Sequence, residues 1–327
     1  MDLNLGNVTG ELSSGSSDEV RVKVLILGSG PAGLSAALYA ARADLNPVVL
    51  SGMELGGQVS LTYTVENYPG FPEGVGGMEL VDLFRKQAEK FGARVEYDSA
   101  GEVDFSSHPF RVRTVNGNIS IADSVIITTG ARSIHLEVPG EDEFTGRGVS
   151  YCATCDGWFF KDKDVIVVGG GDSALEEGLF LTRFADSVTI VHRRDQLRAG
   201  PVLVERAQTN PKLKIEWNSV VSEIAGNGAV QNVHLKDTLT GEVRVKPVDG
   251  VFIFIGHTPN TELFKGQLDM DEKGYLKVDQ LMRTNIPGIF AAGEVADQHF
   301  RQVITSAGMG AAAAMQANHF LDTLGTP

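Results

Sequence analysis

Cysteine is the scarcest informative residue here: the 327-residue chain has only two, at positions 152 and 155. So few exclude a disulfide-stapled secreted fold, and with no second Cys pair and no His at ligand spacing nearby they also exclude a four-ligand zinc site. No apolar run approaches the roughly 18 residues of a membrane span, and the N-terminus lacks the apolar segment of a secretory signal. Basic residues are outnumbered, 28 Lys and Arg against 42 Asp and Glu, and the resulting net charge of −14 argues against a nucleic-acid partner. Residues 1–18 have no aromatic side chain and are polar and Gly/Ser-rich, which predicts a mobile tail without chemistry. Cytoplasm is the simplest address for such a chain.

Glycine is abundant, with 38 copies, and the length exceeds what one core usually supports, so two domains are expected. An apolar run at 22–27 predicts a buried parallel strand that opens into Gly28-Ser29-Gly30-Pro31-Ala32-Gly33, an alanine-rich helix over 34–43 and a second strand at 47–50. This is a βαβ unit with the dinucleotide fingerprint: Gly28 for the tight turn, Gly30 for backbone approach to a pyrophosphate, Gly33 for helix–strand packing. The acidic residue that should close the second strand is missing. Ser51-Gly52-Met53 stands there, and either Glu54 or the backbone holds the ribose.

The pattern recurs. A strand at 164–168 enters Gly169-Gly170-Gly171-Asp172-Ser173-Ala174, then a helix to about 184 and a strand at 187–191 that ends in His192-Arg193-Arg194-Asp195, with Arg198 close behind. In so acidic a chain, arginines at that strand end suit a 2′-phosphate rather than a free ribose, although a solvated basic edge is the plainer alternative. The second unit is therefore expected to take NADPH, and the first, without such arginines, the ADP half of FAD.

Between the two units lies Cys152-Ala153-Thr154-Cys155-Asp156. Two sulfurs at this spacing meet across one turn and can cycle between dithiol and disulfide. A purely structural bridge over so short a loop would stabilise little, which leaves a redox-active pair. Desolvation beside sulfur would raise the carboxyl of Asp156 toward neutrality and suit it to a general acid; otherwise it is a helix cap.

Elsewhere, the Gly- and Pro-dense stretches at 56–58 and 65–72 are read as turns. Met78, Leu80, Val81, Phe84 and Ala88 recur at helical spacing and are expected in the core. Strands are expected at 111–115 and 120–128, a domain crossing near 131–139, and a return strand at 251–255 that leads back near His257. After Gly293 and Glu294, a helix over 306–317 is expected. The fold class is α/β: two Rossmann-like domains of three-layer ββα type, the NADPH domain inserted into a discontinuous FAD domain. The boundaries are residues 19–132 and 257–327 for FAD and 133–256 for NADPH and the cysteines.

Assembled, the chain resembles the low-molecular-weight, bacterial-type thioredoxin reductases from about residue 22 to 321. The resemblance rests on Cys-Ala-Thr-Cys-Asp-Gly at 152–157, Gly-Gly-Gly-Asp-Ser-Ala at 169–174 and His-Arg-Arg-Asp at 192–195. Gly-Gly-Gln at 56–58 and Val-Glu-Asn-Tyr-Pro-Gly-Phe-Pro at 65–72 add to it. It implies a homodimer that passes electrons from NADPH through FAD and the Cys152–Cys155 disulfide to thioredoxin. By resemblance, Gly57, Gln58 and Asn67 lie against FAD, as do Arg301, Gln302 and Val303, with Ser51 near its ribose. Glu294 stands where the family has Asp, beside the ribityl chain. Cys155 faces the flavin, Cys152 attacks the partner and Asp156 handles the proton. Trp158 and Phe159, with Arg147, resemble the thioredoxin-docking surface; alternatively the aromatics cover the disulfide. Since dithiol and NADPH loop share one domain and both need the flavin, the inserted domain is expected to turn about crossings near Ala131 and His257. The rivals are reduction of another CxxC carrier, a ferredoxin-type NADPH reductase without a disulfide step, and a non-enzymatic redox sensor.

Overall fold

A computed structural model describes residues 19–52, 55–62 and 64–325. The expected tail and Glu54 lie outside the described residues. The chain opens with β1 (Glu19–Leu27), α1 (Pro31–Arg42), β2 (Val48–Leu50), α2 (Gly77–Lys90), β3 (Arg94–Glu96), β4 (Ala100–Asp104), β5 (Phe110–Thr114) and β6 (Ile119–Ile127). A short β7 (Ala131–Ser133) leads out of this sheet. Then come β8 (Val149–Ser150), β9 (Asp164–Val168), β10 (Ser187–Val191) and β11 (Leu213–Glu216), with α3 (Glu141–Phe144), α4 (Ala153–Asp156), α5 (Asp172–Leu181) and α6 (Pro201–Thr209). The hairpins β12 (Ser219–Gly226), β13 (Val230–Asp237) and β14 (Val243–Pro247) precede β15 (Gly250–Ile253); β16 (His257–Pro259), β17 (Ile289–Ala291) and α7 (Val303–Leu324) complete the chain.

The first sheet is seven-stranded, ordered β3-β2-β1-β6-β5-β4, with the late strand β17 added beside β6. Its parallel strands end in one row: Leu27 is opposite Leu50 and Ile127, and Ile127 is opposite Ala291. A crevice therefore opens beyond the carboxyl ends of β2, β1, β6 and β17, where ligands bind in open α/β sheets. One face is covered by α1 and α7, whose alanines (Ala36, Ala37 and Ala40 against Ala313, Ala314 and Ala317) let the helices pack closely. The other face buries Phe105, Phe110, Phe264 and Leu276.

The second sheet, β11-β10-β9-β15-β8, is parallel throughout. Alternate residues of β9 point to opposite cores. Val165 and Val167 meet Leu175, Leu181 and Ala207 of the helices; Ile166 and Val168 meet Val221, Ile224, Val233 and Leu235 of the antiparallel β12–β14 sheet. Helices, parallel sheet and antiparallel sheet make three layers. The two sheets are joined through β7 and β16, which pair antiparallel with His257 opposite Ser133, while Ile134 N donates to Gly256 O at 3.0 Å.

Some expected limits moved. Met78, expected in the core, is 56% exposed, whereas Leu80, Val81 and Ala88 are buried. At about 100° per residue it sits outside the stripe those three define. The last helix is longer than expected, because a capping box between Gln302 and Thr305 starts it at Val303 and nothing breaks it before Gly325. The helix expected to reach 184 stops at Leu181, where Thr182 Oγ1 takes the Leu179 carbonyl at 2.7 Å.

Candidate active site

The two Gly-rich turns are built alike. At Gly28, which has φ +113°, an added Cβ would lie 2.4 Å from Thr128 O at the end of β6; at Gly169 it would lie 2.5 Å from Phe254 O just past β15. Each first glycine is thus pressed against its neighbouring strand. Gly30 and Gly171 are the reverse. An added Cβ would meet no heavy atom nearer than 3.9 Å at the former and none within 4 Å at the latter, so bare backbone faces open space at the N-termini of α1 and α5. That is the cradle a dinucleotide pyrophosphate requires, so both turns fit such a cofactor.

A cavity of about 1520 Å³ runs between the two sheets. From the first turn it is lined by Gly28, Ser29, Gly30, Pro31 and Ala32, and from the strand and loops after it by Ser51, Gly57, Gln58 and Asn67. Gly293, Glu294, Arg301, Gln302 and Val303 close it from the C-terminal segment. Cys152, Cys155, Asp156, Arg147 and Phe159 line its opposite wall. Gly33 does not reach it; its α-carbon packs against Gly28 O instead, where a Cβ would be at 2.0 Å.

Cys152 and Cys155 form a disulfide. Cys152 caps α4, and its Sγ accepts the Cys155 N–H at 3.2 Å, a contact that favours thiolate character at Cys152 once the pair is reduced. Asp156 stands at the start of the short turn Gly157–Phe160, but its side chain makes no capping hydrogen bond there. Its Oδ2 accepts the Ser150 hydroxyl at 2.6 Å, and Ser150 Oγ accepts the Cys152 N–H at 3.1 Å, so one buried serine fixes both the acid and the first cysteine. Burial pushes the Asp156 carboxyl up, opposed by the Ser150 hydrogen bond.

More ionisable groups converge on the cavity than the motifs announced. Glu294 is raised to about 7, chiefly by desolvation, with Arg301 opposing and Asp297 adding to the rise. His257 is lowered to about 4 by burial and by Arg301, so it is neutral and its Nδ1 accepts from Arg301 Nη1 at 2.6 Å. Burial also raises Glu177 of α5; Arg301 opposes that rise. Arg301 itself has a left-handed φ of +49°, held by Asp297 Oδ2 accepting its N–H at 3.1 Å. Tyr151, raised by burial and by its 2.7 Å hydrogen bond to Glu141, stands just before Cys152.

The second set of predicted residues forms its own cluster outside this lining. Asp172 Oδ1 accepts Gly200 N at 2.7 Å and Arg198 N donates to Gly170 O at 2.7 Å, which folds the arginine loop over the second turn. Arg193, Arg194 and Arg198 are exposed there, as are Asp172 and Ser173, while Ala174 is buried. His192 is turned inward, with its ring over Gly170 and Nε2 against Gln196 O at 2.9 Å; burial lowers it, so it packs as a neutral ring. Gly170, which motif spacing left free, admits no side chain: a Cβ would lie 2.2 Å from that ring. Trp158 and Phe159 are 58% and 42% exposed, and Trp158 meets Phe184 edge-on, away from the cavity. Ser150, Thr154, Glu177 and His257 are the site residues the motifs did not reveal, since each gains its place only through a contact remote in sequence or across the turn. Among the described residues, no group of His, Cys, Asp and Glu is placed to hold a metal ion and no helix is long and apolar enough to cross a membrane.

Residues 22–310 match the family model for pyridine nucleotide-disulphide oxidoreductases. The thioredoxin reductase of Streptomyces coelicolor is 52% identical over 303 residues, 92% of this chain and 94% of that one. Among solved structures, the thioredoxin reductase of Streptococcus pyogenes is 44% identical, covering 93% of this chain and 99% of its own, with a TM-score of 0.90. That of Lactococcus lactis in its FR conformation is 43% identical, covering 92% and 99%, but with a TM-score of 0.63.

Proposed function

The chain belongs to the pyridine nucleotide-disulphide oxidoreductase family and, within it, to the thioredoxin reductases, and we propose from that premise that it carries two electrons from NADPH to the disulfide of thioredoxin. The overall change is NADPH, one proton and a disulfide in, NADP⁺ and a dithiol out. One observation carries the reading: the Cys152–Cys155 disulfide forms a wall of the same cavity that the first dinucleotide turn lines.

FAD is assigned to that cavity, where Gly28–Ala32 would hold its pyrophosphate, Glu294 its ribityl chain, and Gly57, Gln58, Asn67, Arg301, Gln302 and Val303 its remaining length. NADPH is assigned to Gly169–Ala174, with its 2′-phosphate at Arg193, Arg194 and Arg198. The flavin supplies the two-electron chemistry that links nicotinamide to disulfide. The protein's own residues do the rest. Cys152, as thiolate favoured by the Cys155 N–H, attacks the thioredoxin disulfide. A mixed disulfide forms and the partner's first sulfur leaves, protonated by Asp156, whose burial keeps a proton available nearer neutrality than an ordinary carboxyl would. Cys155 then attacks Cys152 Sγ, restores the internal disulfide and releases the second sulfur.

In the described arrangement the disulfide faces the cavity, while the NADPH cluster lies outside that lining. The inserted domain, residues 133–256, must therefore turn about β7 and β16. The comparisons support this. Two relatives of nearly equal identity and coverage give TM-scores of 0.90 and 0.63. Divergence in sequence does not account for that gap, whereas a different relative placement of two domains does. Exposed Trp158 and Phe159 offer the apolar anchor for thioredoxin once the turn is made, with Arg147 as a further docking residue by family resemblance. The family resemblance supports a homodimer, and the scarcity of cysteine a cytoplasmic address. The test is NADPH oxidation in the presence of thioredoxin and a disulfide dye. Oxidation that depends on thioredoxin and disappears in Cys152→Ser and Cys155→Ser is expected; carrier reduction surviving either replacement refutes the proposal.

A further inference from the structure

One residue of the first domain reaches across to a residue between the cysteines. Gln302 Nε2 donates to Thr154 Oγ1 at 3.1 Å. The charge of its neighbour Arg301 acts on Glu177, whose carboxylate has the Ala153 N–H pointed at it and whose Oε2 is buried without a hydrogen-bond partner. The Gln302 amide is not free to choose. Its Oε1 accepts from Asn67 Nδ2 at 3.1 Å, and its side chain takes the Thr305 N–H in the capping box of α7, so the acceptor end is committed and the donor end is aimed across the domain boundary. On the far side, Thr154 Oγ1 is also 3.4 Å from Cys152 Sγ, so the hydroxyl that receives Gln302 touches the reactive sulfur. A left-handed arginine backbone, pinned by Asp297, sets this pair at the helix start.

We propose that Thr154 is a positioning residue: with Gln302 it forms a clasp that holds the Cys152–Cys155 turn against the cavity, and the inserted domain turns outward only when this clasp opens. The inference rests on the two-arrangement reading above and adds to it which contact sets the balance. A single net hydrogen bond between neutral groups shifts such a balance by about 2- to 10-fold.

The test reads exposure of the sulfurs rather than turnover. Flavin-loaded protein is reduced with dithiothreitol, and the rate at which Cys152 is alkylated by iodoacetamide is measured. Thr154→Val and Gln302→Leu are each expected to raise the rate about 2- to 10-fold, the double variant no further than the larger single effect, and Thr154→Ser to stay near wild type. Gln302 does not touch the sulfur, so its variant separates release of the clasp from any change in Cys152 itself. Thr154→Ala, at an exposed position, serves as a second variant on that side. Unchanged rates, fully additive effects of the two changes, or a serine variant that behaves like valine would overturn the proposal. Absence of NADPH-dependent flavin bleaching in the wild type would instead sink the reductase reading, and the alkylation cycle on chemically reduced protein still reads the clasp alone.

Discussion

Glu294 gives the most quantitative prediction. Its carboxyl is raised from 4.5 to about 7, first by desolvation, with the Arg301 guanidinium too weak a counterweight to cancel it. Below pH 4.5 the group is protonated whether the chain is folded or not, and it costs nothing. Between 4.5 and 7 the unfolded chain gives up the proton while the folded one keeps it, so stability falls as pH rises. Above 7 the loss levels off at about 3 kcal/mol, from 1.36 kcal/mol for each unit of displacement. Glutamine has the same shape and no charge. Flavin-stripped Glu294→Gln should therefore match the wild type at pH 4.5 and exceed it by about 3 kcal/mol at pH 8.

Urea unfolding of both stripped proteins from pH 4.5 to 8.5, followed by tryptophan fluorescence, measures this difference. A difference in stability that grows with pH is expected, with similar denaturant slopes in both proteins. Parallel curves for wild type and variant across that range would refute the reasoning, because they would mean that the carboxyl ionises equally easily in both states.

The other expectations follow from single contacts. Ser150→Ala removes the one hydrogen bond that opposes burial at Asp156, so the carboxyl should hold its proton to higher pH and the alkaline limb of the thioredoxin-reduction profile should move upward, with Ser150→Thr restoring it; an unmoved limb would exclude Asp156 as the acid. At Gly310 a Cβ would fall 2.0 Å from Ala32 O, so Gly310→Ala must part α7 from α1 and is expected to cost about 1–3 kcal/mol by denaturation and to weaken flavin retention. Trp158→Ala should raise KM for thioredoxin about 10-fold, as loss of an exposed aromatic anchor does, with kcat little changed; an equal fall in kcat would point to a role in the chemistry instead.

What could be read from the sequence divides along a physical line. The two turns were legible because a pyrophosphate cradle demands glycine at fixed offsets, and the structure explains each offset by a neighbour: Thr128 O behind Gly28, Phe254 O behind Gly169, open space before Gly30 and Gly171. The redox pair was legible because two sulfurs three positions apart form one ring. Met78 misled because a helix of this length admits one more apolar residue than its buried stripe can use. Ser150, Thr154, Glu177 and His257 are common residue types at unremarkable positions, and their roles come from partners fixed by topology: Asp156, Gln302, Arg301. The last of these shows why motif spacing alone is insufficient. Arg301 belongs to a segment that returns to the first sheet after the inserted domain; it hydrogen-bonds His257 at one crossing, and its charge opposes the rise of Glu177 on the inserted domain. One side chain thereby hydrogen-bonds at the crossing and acts electrostatically on the inserted segment. Such a placement follows from a chain that leaves a sheet and comes back to it, which puts the first dinucleotide turn and the sulfur pair on one cavity.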